Sequence, residues 1–302
     1  MQKFEIRKDI IMQNPVCENW YADPESRVFG DTVYMYVTRS REYEDQLNLD
    51  LVTTNDLKEF QTYYGILDTS TYKGVKKAVW APTVIEKNDL YYIIFAANDI
   101  HSEDEIGGLY VGVSETPTGP FKNVLKDGSP LLNSIYNGAQ PIDAHLFKDD
   151  DGSVYLYYGG WGHMMVCKMN GSMDGFLPMP EPSFGDTARE LTPDGYVEAP
   201  YVMKIDGKYH LMYSSGSWTN GTYCVKAAAS DSPCSNFVYY ADILSADKIA
   251  DGPGHNSAFC YHGKWYVAYH RRSIGDRNPH HRRLCIDELP TEGGRLNRVT
   301  MT

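Results

Sequence analysis

The chain is 302 residues long, 42% apolar and 13% aromatic, with 24 tyrosines, which suits a β-rich globular fold. Its formal charge of -12 argues against a general nucleic-acid or anionic-membrane surface and leaves a neutral ligand open. Six scattered cysteines without a CxxC pair read as buried or incidental thiols, and no apolar run approaches the roughly eighteen residues of a spanning helix.

Residues 1–13 lack the apolar stretch of a secretory signal. They read as a lead-in strand that closes the fold, in a chain that is either cytoplasmic or already processed. The first repeating unit follows. Ala22-Asp23-Pro24 leads into a short strand over 27–29, a Gly30-Asp31 turn and a strand over 32–37. A polar, acidic stretch over 41–50 reads as an exposed loop, and 51–60 as a strand, an Asn-Asp turn and a return. The second unit runs from Trp80-Ala81-Pro82 through 83–86, Asn88-Asp89 and 90–96. After it come a polar loop over 98–107, a strand over 108–114 and a tight turn, SETPTGPF, over 114–121.

The third unit holds Ile142-Asp143-Ala144, a strand over 145–148, Asp151-Gly152 and a strand over 153–158. A further strand over 164–169 and a long polar connection over 178–190 complete it. The fourth places Glu198-Ala199-Pro200 before an apolar run over 201–203, with Asp206-Gly207 turning into 208–213. Its outer part is 223–228 and SDSPCSNF over 230–237, an echo of SETPTGPF. The fifth runs from Gly254-His255-Asn256 through 257–261, Gly263 and 264–270, then a charged loop over 271–281 and a strand over 283–288.

The aligned tyrosines Tyr34, Tyr91, Tyr155, Tyr209 and Tyr266 stand 57, 64, 54 and 57 residues apart. Five strand pairs at a steady period predict an all-β fold, a five-bladed β-propeller in a single domain over residues 1–302. A β-sandwich with insertions is the competing architecture, but it leaves five equivalent pairs unexplained. In a propeller the first strand of every unit lines the axis. Asp23, Trp80 or its Ala81-Pro82 neighbour, Asp143, Glu198 and His255 would then gather at one end of the channel.

Three acids at one centre suit hydrolysis of a glycosidic bond. One carboxyl protonates the departing oxygen and another removes a proton from water on the opposite face. Glu198 is the better acid, because its reference pKa is higher and burial raises it further. Asp143 would orient it. His255 faces the acids and could hold a cation directly or through water, whereas the other histidines show no zinc-type spacing. Trp20, Trp80, Trp161 and Trp218 are candidate sugar platforms against a plain packing role, and Arg283 a candidate hydroxyl donor against a plain salt bridge. No phosphate-binding glycine loop, GxSxG or Cys/His dyad is present.

The motifs YADP (21–24), WAP (80–82), IDA (142–144) and EAPY (198–201), in this order, resemble those of glycoside hydrolase family 43. TNDLKEF (54–60), ETPTGPF (115–121) and GPGHNSAF (252–259) agree, so the likeness covers about 14–288. The resemblance implies a five-bladed propeller and an inverting mechanism. Asp23 would be the general base, Glu198 the general acid and Asp143 the group that tunes and orients it. His255 matches an axial histidine that approaches bound calcium in many members; no cofactor is needed for the chemistry.

The implied substrates are plant-wall oligosaccharides or polysaccharides, taken by a monomer or weak homo-oligomer. Loops over 41–50, 98–107, 178–190 and 271–281 would wall a pocket, favouring exo action. An α-L-arabinofuranosidase is the leading expectation, ahead of a β-D-xylosidase and an endo-acting arabinanase or xylanase. The sequence after residue 288 is too short for the second β-sandwich of many xylosidase-type members. The rival from another class is a non-catalytic carbohydrate-binding propeller, in which the three acids would not cluster.

Overall fold

The turn dipeptides fold as their residue types allow. Asn88-Asp89, Asp206-Gly207 and His262-Gly263 take positive φ at both positions, the type I′ geometry that matches strand twist. Each joins the first two antiparallel strands of a sheet. The computed structural model describes residues 13–101 and 107–302.

Five sheets are arranged as the blades of a β-propeller. Blade I holds Tyr21–Phe29, Thr32–Arg39, Leu49–Thr54 and Gln61–Tyr64. Blade II holds Trp80–Lys87, Leu90–Ala97, Gly108–Ser114 and Lys122–Asn123. In blade III, His145–Lys148, Val154–Tyr158 and Met165–Met169 are followed by two short edge strands, Phe176–Leu177 and Ala188–Glu190. Blade IV holds Glu198–Ile205, Lys208–Ser215, Cys224–Ser230 and Val238–Leu244. Among the described residues blade V has three strands, Asp251–Tyr261, Lys264–Arg272 and Arg283–Glu288. The first strand of each blade is innermost and touches the first strands of its neighbours, blade V closing on blade I.

The period-2 alternation of strands explains why these segments are apolar on both faces. Along blade II, Ile93 and Phe95 pack with Tyr36 and Leu51 of blade I, while Ile94 and Ala96 pack with Leu146 and Leu156 of blade III. Three further cores fill the remaining gaps, and the one holding Val33, Met35, Phe259 and Ile286 joins blade V to blade I. Each fully buried Ile or Phe contributes about 1.5–3 kcal/mol.

The expected lead-in strand lies outside the described residues for 1–12. Just after it, Val16 N donates to Leu284 O at 3.0 Å. The Asn14 side chain donates to Ile286 O at 2.8 Å and accepts from Ile286 N at 2.9 Å. These bonds cap the open edge of three-stranded blade V.

Two loop expectations change. Residues 41–50 are not one exposed loop: Tyr43–Asp45 forms a 3-10 turn, and Leu49 and Asp50 are buried at the start of a strand. The 178–190 connection contains the edge strand Ala188–Glu190. All six cysteines are free thiols. Among the described residues no helix is long and apolar enough to cross a membrane.

Candidate active site

Each blade carries one non-glycine residue in the left-handed region on its inner strand or, in blade III, just before it: Asp23, Ala81, Asp143, Ala199 and His255, with φ between 41° and 59°. In four blades the residue sits within an irregularity of register against the second strand. These five are the equivalent positions of the repeat. In the second unit the equivalent position is Ala81 of the Ala-Pro pair rather than Trp80, and in the fourth it is Ala199, so Glu198 lies one residue before the place expected for it. The left-handed geometry costs L-residues about 1–3 kcal/mol and persists only where its surroundings fix it.

Those surroundings come from the preceding blade. Asp23 N donates to His270 Nδ1 at 3.2 Å, Ala81 N to Thr38 Oγ1 at 2.8 Å, and His255 N to Ser214 Oγ at 2.9 Å. Thr38, Ser214 and His270 occupy matching places on second strands, opposite Ala22, Glu198 and Gly254. A kinked inner strand, braced from the preceding blade, turns its side chains into the mouth of the channel.

There they line a small pocket, with Asp23, Tyr43, Trp80, Ile142, Asp143, Glu198, Trp218, His255 and Arg282 as walls. One rim is an aromatic arc. Tyr43 meets Trp80 edge-on at 5.0 Å and His280 at 5.8 Å, and Trp218 lies 6.0 Å from His280. The indole N–H of Trp80 donates to Gln46 Oε1, which fixes the ring.

The three acids have opposite electrostatic settings. Asp23 is 6% exposed. Burial alone would raise its carboxyl, but the Arg282 guanidinium, with His255 and His270, outweighs this and holds it far below the usual carboxylate range. Arg282 Nη1 donates to Asp23 Oδ1 at 3.2 Å, and its Nε donates to Ser40 Oγ at 3.0 Å. His255 Nδ1 and His270 Nδ1 lie 3.3 and 3.4 Å from the same Oδ1. Among the described residues all these contacts converge on Oδ1 and none on Oδ2.

Asp143 and Glu198 are pushed the other way. Burial raises Asp143 well above its ordinary value, and the nearby charges of Glu198 and Asp23 add to it. Burial also raises Glu198; Asp23 adds to that, while Tyr223 and Arg282 partly offset it. The two carboxyls titrate as a pair that retains a proton. Tyr223 Oη donates to Glu198 Oε1 at 2.7 Å, leaving Oε2 for the proton. Burial lowers His255, and lowers His270 to about 4, so both are neutral near pH 7. Because His270 Nδ1 accepts the Asp23 amide, its proton sits on Nε2, which has no partner.

Six of the nine residues singled out from sequence line the pocket: Asp23, Trp80, Asp143, Glu198, Trp218 and His255. Three do not. Trp161 is 45% exposed with its ring 6.4 Å from that of His101. Arg283 stacks over Trp20 at 3.9 Å and bonds Glu18 O at 2.9 Å, while its neighbour Arg282 enters the pocket. Trp20 itself stacks on His281 at 4.3 Å, outside the pocket. Of the four loops expected to form walls, 41–50 supplies Tyr43; Trp218 comes from the stretch before Cys224–Ser230. Sequence reading missed Tyr43, Ile142, Tyr223, His270 and Arg282. Only the run HHRR over residues 280–283 carried a signal.

Calcium held directly does not fit these residues. It takes roughly six to eight oxygen ligands. His255 offers imidazole nitrogen, with Nδ1 already turned to Asp23 and to Asp143 Oδ2 at 3.6 Å. Among the described residues no group of three or more His, Cys, Asp and Glu converges for a metal. Farther along the inner strands, Arg27 supplies the positive charge. It pairs with Glu25 and donates to Leu146 O of the blade III inner strand at 2.8 Å.

The sequence matches the family described as Glycosyl hydrolases family 43 over residues 12–294. It is 34% identical to a β-D-galactofuranosidase of Aspergillus niger, over 96% of this chain and 85% of that one. It is 28% identical to the xylosidase/arabinosidase 43A of Humicola insolens, over 91% and 95%. Among solved structures, a thermostable family-43 glycoside hydrolase superposes with a TM-score of 0.81 at 26% identity, covering 97% of this chain and 96% of the other. An α-L-arabinofuranosidase from Clostridium thermocellum gives 0.76 at 26%, covering 94% and 95%. With its five-bladed fold and a family match over residues 12–294, the chain belongs to glycoside hydrolase family 43 and is a glycosidase.

Proposed function

We propose that the protein is an inverting, exo-acting α-L-arabinofuranosidase on arabinose-substituted plant-wall glycans. The observation that carries this is the opposed settings of the acids: Asp23 is held toward its ionised form beside Arg282, while burial pushes Asp143 and Glu198 toward their protonated forms. One pocket thereby holds a base and an acid at the same pH. Glu198 Oε2 gives its proton to the glycosidic oxygen as the C1–O bond breaks and the electron pair stays on that oxygen. Water bonds to C1 from the opposite face and passes its proton to Asp23 Oδ2. The product leaves with inverted configuration, and the two carboxyls reset by exchange with solvent. Asp143 acts through Glu198, keeping its proton affinity high. His255 and Arg282 orient Asp23 through Oδ1.

The aromatic arc of Tyr43, Trp80 and Trp218 supports a pocket that admits one terminal sugar, with ring faces packing on a furanose. The resemblance to arabinofuranosidases and xylosidase/arabinosidases supports the pentose. A second reading, release of terminal β-D-galactofuranose, is favoured by the 34% identical relative. The β-D-galactofuranosyl ring matches α-L-arabinofuranose at C1 to C4 and differs by one added CHOH in the exocyclic arm. The test is a panel of nitrophenyl α-L-arabinofuranoside, β-D-galactofuranoside and β-D-xyloside, together with linear arabinan. The highest kcat/KM is expected on the arabinofuranoside, with arabinan shortened only from its ends. Preference for the xyloside, or internal cleavage of arabinan, would overturn the assignment.

A further inference from the structure

The geometry points to Tyr223 as the residue that positions the Glu198 carboxyl for proton delivery. This rests on Glu198 being the acid. Tyr223 precedes the third strand of blade IV and is 1% exposed. Its ring is clamped on two sides. It stacks on His270, with centroids 5.8 Å apart and planes 11° from parallel. Next to it lies Gly254, where a Cβ would stand 2.1 Å from Tyr223 Cε1 and 2.2 Å from Cδ1. Glycine is therefore required at 254 for the ring to lie where it does. Gly254 immediately precedes the left-handed His255, whose amide bonds Ser214 Oγ. The Ser214 hydroxyl in turn interacts with Tyr223. So blades IV and V together hold one phenol in one place.

From that place the hydroxyl donates to Glu198 Oε1 at 2.7 Å. Donation to Oε1 leaves Oε2 as the oxygen that carries the proton. It also supports the carboxylate that remains after the proton has gone. Burial pushes the phenol well above its ordinary pKa, so it stays a donor throughout the working range. The other groups facing Glu198 are Asp143, Asp23, Arg282, Tyr43 and Tyr196. None of them makes a recorded hydrogen bond to Oε1 among the described residues.

The test is Tyr223→Phe, which keeps the ring and removes the bond. Activity is followed on arabinofuranosides whose leaving groups range from dinitrophenol to methanol, with full pH profiles. Poor leaving groups depend on the acid and good ones do not. The expected kcat loss is about tenfold or more for methanol and much smaller for dinitrophenol, a part of the total general-acid contribution. The alkaline limb is expected to move to higher pH, because the lost hydrogen bond favoured the ionised acid. Gly254→Ala, which displaces the ring, should show the same leaving-group dependence, with melting temperatures reported for both variants. An equal loss on all leaving groups with an unmoved limb would overturn the proposal. Glu198→Gln separates the two levels. If its loss does not depend on the leaving group, the acid assignment itself fails. If it does and Tyr223→Phe shows none, only the role of Tyr223 fails.

Discussion

Arg282→Met removes the one permanent positive charge on Asp23 and nearly conserves side-chain volume. Arg282 is 8% exposed, 3.2 Å from Asp23 Oδ1, and lies over the Trp218 ring at 5.2 Å. At an effective dielectric of about 20, a unit charge pair at that distance is worth roughly 5 kcal/mol. That corresponds to about three to four pH units in proton affinity. The neutral imidazoles of His255 and His270 cannot replace it. The Asp23 carboxyl should therefore rise from far below the carboxylate range into or above it. The sign follows: a base must be ionised, so the acidic limb of kcat/KM moves to higher pH. Breaking a buried pair also costs stability, about 3–5 kcal/mol, so folding is checked by circular dichroism and assays run well below the melting temperature. The assay is the kcat/KM profile on nitrophenyl α-L-arabinofuranoside for the wild type, Arg282→Met and Arg282→Lys. Arg282→Lys keeps a charge and should keep most of the depression. An acidic limb that stays in place while KM alone rises would refute the reasoning and make Arg282 a sugar contact.

Three further outcomes follow from the same electrostatics. Glu198→Gln should raise the melting temperature more at about pH 8 than at about pH 4, because the raised carboxyl binds its proton in the fold and loses it when unfolded. The destabilisation it relieves is absent at low pH, grows as pH rises from the unfolded pKa to the folded one, and is about 1.4 kcal/mol per tenfold in proton affinity; an equal gain at both pH values would contradict this. Arg283→Ala should leave kcat/KM within about twofold of wild type, since the side chain is committed to Trp20 and Glu18; a large loss would return it to the sugar site. Chelator and added calcium should each leave melting temperature and kcat unchanged, as the His255 surroundings offer no oxygen cage; a fall on chelation would contradict the fit of residues described above.

The propeller was legible because its hairpins are written in local chemistry. Asn88-Asp89 and Asp206-Gly207 favour left-handed turns, and a tyrosine returns at one place in every second strand. What was not legible was the exact register of the inner strands. The left-handed residue of each blade is Asp, Ala, Asp, Ala or His, and nothing in an Ala-Pro dipeptide announces positive φ. Hence the choice between Trp80 and its Ala-Pro neighbour stayed open, and Glu198 was placed one residue away from its structural equivalent Ala199. The HHRR run shows the same limit. Adjacent residues at a strand entrance point to opposite sides, and without the pairing of Arg283 with Arg271 the choice between Arg282 and Arg283 was open. Tyr223 and His270 lie at or in strands that read as core. Tyr223 reaches Glu198 within blade IV with its ring held by Gly254 and His270 of blade V, and His270 meets Asp23 only when blade V closes on blade I. Trp161, by contrast, had the right residue type in the wrong direction.

The central claim is that water attacks opposite the departing group, with Asp23 as base and Glu198 as acid. The most direct measurement is proton NMR of the first sugar released from an α-L-arabinofuranoside, recorded before mutarotation. The account predicts β-L-arabinofuranose as the first-formed anomer. Appearance of the α anomer first would contradict it and require a covalent intermediate that this site has no assigned nucleophile to form.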